Sequence, residues 1–284
     1  MVYYNPREWF SFVFRFHKAE TLRELFPLMT AVGAYSAIVT FLLIDYFELP
    51  KTSIITKIIY IHQTIGFVFS LLLAFRINSA YDRWWEGRKL WGSLTNNSRN
   101  FAIKLKYLVG EMEIAYFRYL IPLYARVLRD HLRDKYHPED QEFVHINPSQ
   151  HVPNQIASAM MKDIYRLNKE GQINMEQLLS LNTEMTSFTD ICGGCERIKK
   201  TPIPFSYSVF IKKFIFSYIM TLPFAWAFEL KYFIVPVIAF VLFVFASIEL
   251  IAEEIEDPFG HDANDLPLDN ICENIDKHVG EILS

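Results

Sequence analysis

Three groups of residues have side chains suited to catalysis or metal binding, and the first two complete no known motif. Cys192 and Cys195 have the spacing of a redox pair or of half a zinc site, but no second pair or nearby histidine completes that site. We therefore expect both thiols to be small buried groups at a helix end. Four histidines follow no helical or finger-type ligand spacing, which predicts a solvated loop: His131, His137, His145 and His151.

The third group is an acidic, turn-rich stretch over residues 253–270, which carries seven carboxylates, two prolines and one glycine. Oxygen-rich loops bind hard cations such as Ca²⁺. An EF-hand counted from Asp262 is excluded, because Leu266 and Pro267 stand where that loop needs an oxygen ligand and a glycine. Two interpretations remain, an ion site of another kind or a turn in which aspartate side chains bond to backbone amides.

Composition and missing motifs exclude several functional classes. The sequence has no GxSxG motif and no glycine-rich phosphate loop, so we expect a protein that is not an enzyme. A formal net charge of -4 provides no basic field for nucleic acid. Three cysteines make no disulfide framework, which favours a reducing compartment for the soluble part.

The elements that position these groups include four uncharged stretches suited to crossing a membrane. A helix of about 20 residues, at about 1.5 Å rise per residue, spans a hydrocarbon core of about 30 Å. The third stretch is short for this purpose, so Lys212 and Lys213 before it must snorkel or line a hydrated cavity. Short links, the first containing Pro50, join the stretches into two antiparallel hairpins: 25–44, 58–75, 214–228 and 232–247.

The second stretch ends abruptly at Arg76, where a polar, tryptophan-rich sequence begins. Each of its charges costs a few kcal/mol at the bilayer midplane, so the charges must lie in water or in a protein interior. The apolar stretch contains no proline. We therefore expect one helix to leave the membrane at this point and to continue as part of an aqueous region.

The region between the hairpins is predicted to be helical almost throughout. Apolar residues recur at three- and four-residue spacing over 101–132, and two further helices are predicted over 154–167 and 174–191. Asn174 and Gln177 are placed as an N-cap pair for the last of these helices. No stretch shows sustained period-two alternation, so the predicted fold class is all-α.

The placement of lysine and arginine gives an orientation in the membrane. Residues 1–24 mix positive charges with aromatic residues and lack a signal-peptide cleavage site, which predicts an interfacial helix. The positive-inside rule places both termini and the region between the hairpins in the cytoplasm. The expected location is therefore the inner or plasma membrane, crossed by four helices.

Two stretches together resemble the bestrophin family, specifically its prokaryotic branch: FRINSAYDRWWEGRKLWGSLTNNSRN after an apolar helix, and EIEDPFGHDANDLPLD after the last span. The order, spacing and four-span layout agree over nearly the whole chain, while the middle helices match weakly. The resemblance implies a homopentameric, mostly anion-conducting channel in the lipid bilayer, with a narrow neck on the five-fold axis and a second constriction at the cytosolic end. Passive conduction of chloride or other small monovalent ions is the function that it implies.

The resemblance places the lining of the neck at Tyr60, Thr64 and Val68, which share one helical face at four-residue steps. The family has bulky apolar residues there, so Tyr60 and Thr64 are departures that would make the neck wetter. A rotated helix would instead present a neighbouring face: Ile61, Ile65 and Phe69.

The same resemblance places the lower constriction at Glu176, where animal relatives have an aliphatic residue. Five glutamates around one axis would attract cations and repel chloride. The alternative is that Glu176 lies on a solvated helix face. A channel selective for monovalent cations is thus a second hypothesis, and a membrane scaffold or accessory protein is a third, from another functional class.

Animal bestrophins hold calcium in the acidic loop, and four residues here match that clasp. Asp262 and Asp265 match its side-chain ligands, whereas Glu254 and Asp257 match positions that donate backbone oxygens. His261 replaces an acidic residue, which argues against calcium gating. We therefore expect no cofactor, and calcium in a remnant of this clasp is the alternative.

These expectations divide the chain into five segments of one integrated domain. They are an interfacial segment (1–24), a hairpin with the pore neck (25–75), a cytosolic helical region (76–200), a second hairpin (201–252), and the acidic loop with a C-terminal tail (253–284).

Overall fold

A computed structural model of the chain describes residues 20–50, 57–135 and 146–284. These residues form helices and no strand, which confirms the all-α prediction for the described part of the chain. The interfacial segment expected before residue 20, and His137 and His145, lie outside the described residues. The α-helices are α1 (Glu20–Phe41), α2 (Ile58–Leu108), α3 (Glu111–Leu132), α4 (Val152–Lys169), α5 (Met175–Lys200), α6 (Phe205–Leu230), α7 (Ile234–Glu256) and α8 (Leu268–Ile282).

Helix α2 continues through the polar boundary at Arg76. Its 51 residues contain no proline and would extend about 75 Å at 1.5 Å per residue. The expectation of a single helix across the boundary is therefore confirmed. The helical prediction over 101–132 is confirmed except at one break, because α2 ends at Leu108 and Gly110 adopts an extended conformation before α3. Glycine has a low helix propensity, and Glu111 and Glu113 favour a new helix N-terminus.

The chain forms two compact units. The first, here called the span unit, comprises the described residues between Glu20 and Asp82 together with Ile203–Glu256. In this unit α1 packs against α7 and α6, and α6 joins α7 through a single 3-10 turn at Lys231–Phe233. Its core includes Phe69, which stacks on Phe214 with ring centroids 4.5 Å apart.

Three stretches of the described residues are long and apolar enough to cross a membrane: Thr21–Tyr46, Ile58–Leu108 and Phe205–Glu256. The last stretch contains both α6 and α7. Helix α6 begins at Phe205, nine residues before the predicted third stretch, so its 26 residues remove the shortage of length. Lys212 inside it pairs with Glu253 at 2.5 Å.

The second unit, the bundle unit, comprises Arg83–Pro202 and Asp257–Ser284. Helix α3 packs against α4, α5 and α8, and the Tyr124 hydroxyl donates to the Phe188 carbonyl at 2.6 Å in its core. The predicted N-cap pair is confirmed, since Asn174 and Gln177 form a reciprocal capping box at the start of α5. The C-terminal tail was not predicted to be helical, yet its amphipathic sequence forms α8 on α3.

Helix α5 continues to Lys200, beyond its predicted end at Ile191. Cys192 and Cys195 are buried as expected, but they lie inside the helix and not at its end. The predicted helix end at Ile191 is therefore wrong, and Gly193 and Gly194 both lie inside α5. A Cβ built at Gly194 would lie 3.0 Å from Leu90, so close packing between helices accounts for that glycine without a helix break.

Candidate functional site

The predicted pore-lining residues lie on the free side of α2 within the chain. Tyr60 is 70% exposed and Val68 is 50% exposed, and Thr64 between them is also exposed. The Thr64 hydroxyl donates to the Tyr60 carbonyl at 3.1 Å, one turn back on the same helix. The chain therefore leaves these three side chains available to line an ion path, and their role in a neck stays a prediction.

The alternative pore-lining face of α2 is not exposed along its whole length. Ile61 and Ile65 are exposed, but Phe69 is fully buried in the span unit between Phe214 and Phe245. Rotating α2 to expose Phe69 would remove these two aromatic contacts and expose a large apolar ring to water. The packing within the chain therefore favours the face that carries Tyr60, Thr64 and Val68.

The opposite side of α2 is fixed by close contacts with α6. The His62 Nε2 lies 2.9 Å from the Thr221 hydroxyl oxygen, and its ring lies 4.6 Å from the Tyr218 ring. One turn further on, a Cβ built at Gly66 would lie only 2.6 Å from the Tyr218 hydroxyl oxygen. The glycine at position 66 therefore leaves room for the Tyr218 side chain of α6 to pack directly on α2.

A buried ion-pair cluster surrounds Arg76 in the span unit. The Arg76 Nε donates to the Glu249 Oε1 at 3.3 Å, and its Nη1 lies 2.9 Å from the Glu256 Oε2. Arg76 is fully buried, so the expectation that it lies in water or in a protein interior is met by the protein interior. Glu256 also accepts the Ile203 N–H at 2.6 Å, which joins the beginning of α6 to the end of α7.

The acidic partners in this cluster were not predicted from the sequence. Glu249 is 3% exposed and follows fifteen uncharged residues of α7. The signal was present, because Glu249, Glu253 and Glu256 are spaced by four and three residues and so share one face of α7. Carboxylates on one face at the end of an apolar helix, in a chain with an arginine at a span boundary, indicate a buried ion pair.

Glu176 lies in the first turn of α5 and is exposed. The helix N-terminus favours a negative charge at this position. In the same unit, the helix is fixed two turns later by Glu184, which pairs with the Lys104 ammonium at 2.8 Å. An exposed carboxylate is compatible both with a ring in an assembly and with a solvated face, so its role in a constriction stays a prediction.

The acidic loop is held by its own hydrogen bonds. Asp265 is 2% exposed, and its Oδ2 accepts the Asp262 N–H at 2.7 Å. A Cβ built at Gly260 would lie 2.7 Å from the same Oδ2. The Leu266 N–H donates to the Pro258 carbonyl at 2.9 Å and closes the turn. These bonds are those of the self-capping turn proposed from the sequence.

The four clasp positions differ in their surroundings. Asp257 and Asp262 are exposed in the bundle unit, where Asp265 is buried, and Glu254 is half-buried in the last turn of α7 in the span unit. Asp265 is thus already engaged by a backbone amide. The interpretation of this set as a remnant of the clasp, without calcium gating, stays a prediction.

Two histidines and one carboxylate that the sequence did not connect lie together in the bundle unit. His131 and His151 both place Nε2 within 3.0 Å of the Glu196 Oε1. The solvated-loop prediction is wrong for these two residues, because tertiary packing brings α3, α4 and α5 together at this point. Nothing in the local spacing could have indicated Glu196, which lies 45 residues beyond His151.

Cys192 and Cys195, which lie near this group, have thiols of low reactivity. Burial and the nearby Glu196 carboxylate raise the pKa of Cys192 to about 12, and burial also raises the pKa of Cys195. Only the thiolate is a good nucleophile or metal ligand, so neither cysteine is suited to redox exchange at neutral pH.

Comparisons with known proteins agree on one family. The family model for Bacterial/Fungal Bestrophin protein matches residues 1–281. A voltage-dependent anion channel-forming protein of Nostoc sp. is 30% identical over 98% of this chain and 92% of its own. Another, of Synechocystis sp., is 35% identical over 76% of this chain and 75% of its own. The crystal structure of a bacterial bestrophin homologue from Klebsiella pneumoniae has a TM-score of 0.80 at 24% identity and covers 90% of this chain and 97% of that one, which shows the same fold.

Proposed function

Because the chain belongs to the bestrophin family, in its bacterial and fungal branch, we propose that it forms an anion channel in a cell membrane. Its relatives in Nostoc and Synechocystis are named as voltage-dependent anion channel-forming proteins. Membership of this family implies a protein that is not an enzyme. Chloride and other small monovalent anions are the ions that this proposal assigns to it.

One observation supports this function most directly. Helix α2 buries one side within its own chain and leaves an uncharged side free over the length of an apolar span. In a ring of identical chains, such a side lines a path in which an ion meets hydroxyl and aromatic groups but no fixed charge. Tyr60, Thr64 and Val68 are the residues that we place at the neck of this path.

The proposed assembly is a homopentamer with four spans in each chain. The spans are α1, the part of α2 before Arg76, α6 and α7. They cross the inner or plasma membrane, and both termini lie on its cytoplasmic side. The turn at Lys231–Phe233 is too short for anything but a hairpin between α6 and α7, which supports counting these helices as two spans. The five-segment division of the chain follows from this arrangement.

A flux assay tests the proposal. Purified full-length protein, eluting at the size of a pentamer, is reconstituted into liposomes loaded with KCl, and chloride efflux is followed with an anion-sensitive dye. We expect efflux that scales with protein content. Correctly folded pentamers that release no chloride or potassium under any salt gradient would contradict the channel function.

A second candidate function follows from Glu176. An exposed carboxylate in the first turn of α5 would form a ring of five negative charges if that turn faced the axis, and such rings select cations. Glu176→Gln tests this candidate, with Glu273→Gln as a control that removes the same charge from an exposed position on α8. A shift of the reversal potential toward the chloride equilibrium value in Glu176→Gln alone would support the ring. Equal reversal potentials in both variants would reject it.

A further inference from the structure

The bundle unit contains a converging group of ligand atoms that the channel function does not use. His131 lies in the last turn of α3, His151 is the N-cap residue of α4, and Glu196 lies in α5. Three separate helices thus direct one side chain each toward one point. The ligand atoms of all three side chains lie within 4.8 Å of one another.

The chemistry of this group matches that of a metal centre. The His131 Nε2 lies 2.7 Å and the His151 Nε2 lies 3.0 Å from the same carboxylate oxygen of Glu196. The two imidazole rings are 4.7 Å apart and tilted by 54°, so their nitrogens approach the oxygen from different directions. Two imidazole nitrogens and one carboxylate oxygen are a ligand set that zinc adopts, with a fourth position open to water.

We propose that His131, His151 and Glu196 bind one zinc-type divalent metal ion per chain. The ion would bridge α3, α4 and α5 within the bundle unit. Ligands of this borderline character favour Zn²⁺, Co²⁺ or Ni²⁺ over Ca²⁺ and Mg²⁺, which prefer oxygen ligands. The site is distinct from the acidic loop, with which it shares no residue.

A lysine side chain also contacts the Glu196 Oε1. The Lys200 ammonium lies 3.1 Å from the same oxygen, but this side chain is 65% exposed and has room to move into solvent when a cation arrives.

Binding at His151 has a structural consequence. The Nδ1 of this ring accepts the Asn154 N–H at 3.2 Å as the N-cap of α4, so the ring proton lies on Nε2. A metal ion on Nε2 requires that proton to move to Nδ1, where it can no longer accept a hydrogen bond. Metal binding and this helix cap therefore compete, and the Asn154 amide must lose its present partner when the ion binds.

Metal titration of the full-length protein, purified without a polyhistidine tag, tests the proposal. We expect one Zn²⁺ per chain, and an affinity lowered by more than about tenfold in His131→Gln and in Glu196→Gln. His278→Gln removes a histidine of α8 that contacts Arg99, and it should retain the wild-type affinity. The double variant His137→Gln/His145→Gln should retain it as well. Elution at the wild-type size and an unchanged circular dichroism spectrum serve as the folding checks.

Hydrogen exchange gives a second readout that an adventitious surface ion would not move. Zn²⁺ should accelerate exchange of the Asn154 amide in the wild type and leave it unchanged in Glu196→Gln. Stoichiometric Co²⁺ should produce visible bands typical of four-coordinate sites. The proposal is overturned if zinc affinity is equal in wild type and His131→Gln, if it follows His137 and His145, or if the Asn154 amide does not respond. None of these measurements depends on ion conduction, so a failed flux assay would leave the result unaffected.

Discussion

The Nε of Arg76 lies 3.3 Å from the Oε1 of Glu249, with the two side chains 0% and 3% exposed. This pair joins α2 to α7 at the point where α2 changes from apolar to polar sequence. Two buried charges stabilise a fold only when each keeps its partner, because a lone charge retains its full desolvation penalty. The pair thus fixes the position of the proposed pore helix near the end of its span.

Removal of one partner from this pair should destabilise the span unit strongly. We expect Arg76→Gln to lower the free energy of unfolding by about 3–5 kcal/mol, because the buried Glu249 and the half-buried Glu256 would lose their shared cation. Thermal unfolding in detergent measures this loss. Arg88→Gln, at an exposed position on the same helix, is the matched control and should change stability by less than about 0.5 kcal/mol. Equal effects of the two variants would contradict the role of the buried pair.

Gly66 should be intolerant of even one added methyl group. In Gly66→Ala, the new Cβ would meet the Tyr218 hydroxyl oxygen at 2.6 Å, so the Tyr218 side chain must shift or α2 and α6 must separate, at a cost of about 1–3 kcal/mol. Gly193→Ala is the control, since a Cβ there meets nothing within 4 Å and helix propensity should stabilise the variant by up to about 1 kcal/mol.

The same clash offers a rescue experiment. Tyr218→Phe removes the hydroxyl, after which the nearest atom of that ring to the new Cβ is Cζ at 3.3 Å. Gly66→Ala/Tyr218→Phe should therefore recover part of the lost thermal stability. If the double variant is no more stable than the sum of its single changes, the contact between Gly66 and Tyr218 does not set the distance between α2 and α6.

The acidic loop should depend on Asp265 as a capping residue more than on any bound cation. Asp265→Ala leaves the Asp262 N–H without its acceptor and should destabilise the loop by about 1–3 kcal/mol. Asp262→Ala removes an exposed carboxylate and serves as the control.

Chloride flux should be equal with calcium and with a calcium chelator. A flux that requires calcium and is lost in Asp262→Ala would contradict this account.

Acid should weaken the attachment of α8. Burial would raise the pKa of Asp269, but hydrogen bonding to Arg133 and the charge of Arg129 lower it below its usual value. A carboxyl group with a lowered folded-state pKa contributes stability above its unfolded pKa of about 3.9, and this contribution is lost as pH falls through the folded value.

Asp269→Asn isolates that contribution. Since the Asp269 side chain is 53% exposed, solvent screening limits the expected loss at pH 7 to about 0.5–1 kcal/mol. The difference in melting temperature between wild type and Asp269→Asn should shrink as pH falls below about 4. A difference that stays constant from pH 7 to pH 3 would show that the ion pairs of Asp269 do not stabilise α8.

Local signals in the sequence predicted the helices well. The absence of proline near Arg76 predicted the continuous α2, and the Asn174–Gln177 pair predicted the start of α5. Both signals act over one or two turns, so no distant residue modifies them. Gly110 and Gly194 show the limit of such reasoning, since one glycine separates two helices and the other serves close packing inside a helix.

The groups that depend on tertiary contact were harder to predict. Glu249 lies 173 residues from Arg76, and Glu196 lies 65 residues from His131. Distance along the chain carries no information about such approaches. The neck face illustrates the same limit, because four-residue spacing allowed two faces and only the burial of Phe69 favours one of them.

The reversal potential under a KCl gradient tests the proposed anion channel most directly. Full-length pentamers in a planar bilayer, with KCl concentrated on one side, should give a reversal potential close to the chloride equilibrium potential. Tyr60→Ala should raise the conductance without changing the sign of the reversal potential. Tyr107→Ala, at another exposed position on α2, should leave both the conductance and the reversal potential unchanged. A wild-type reversal potential close to the potassium equilibrium value would contradict the anion channel.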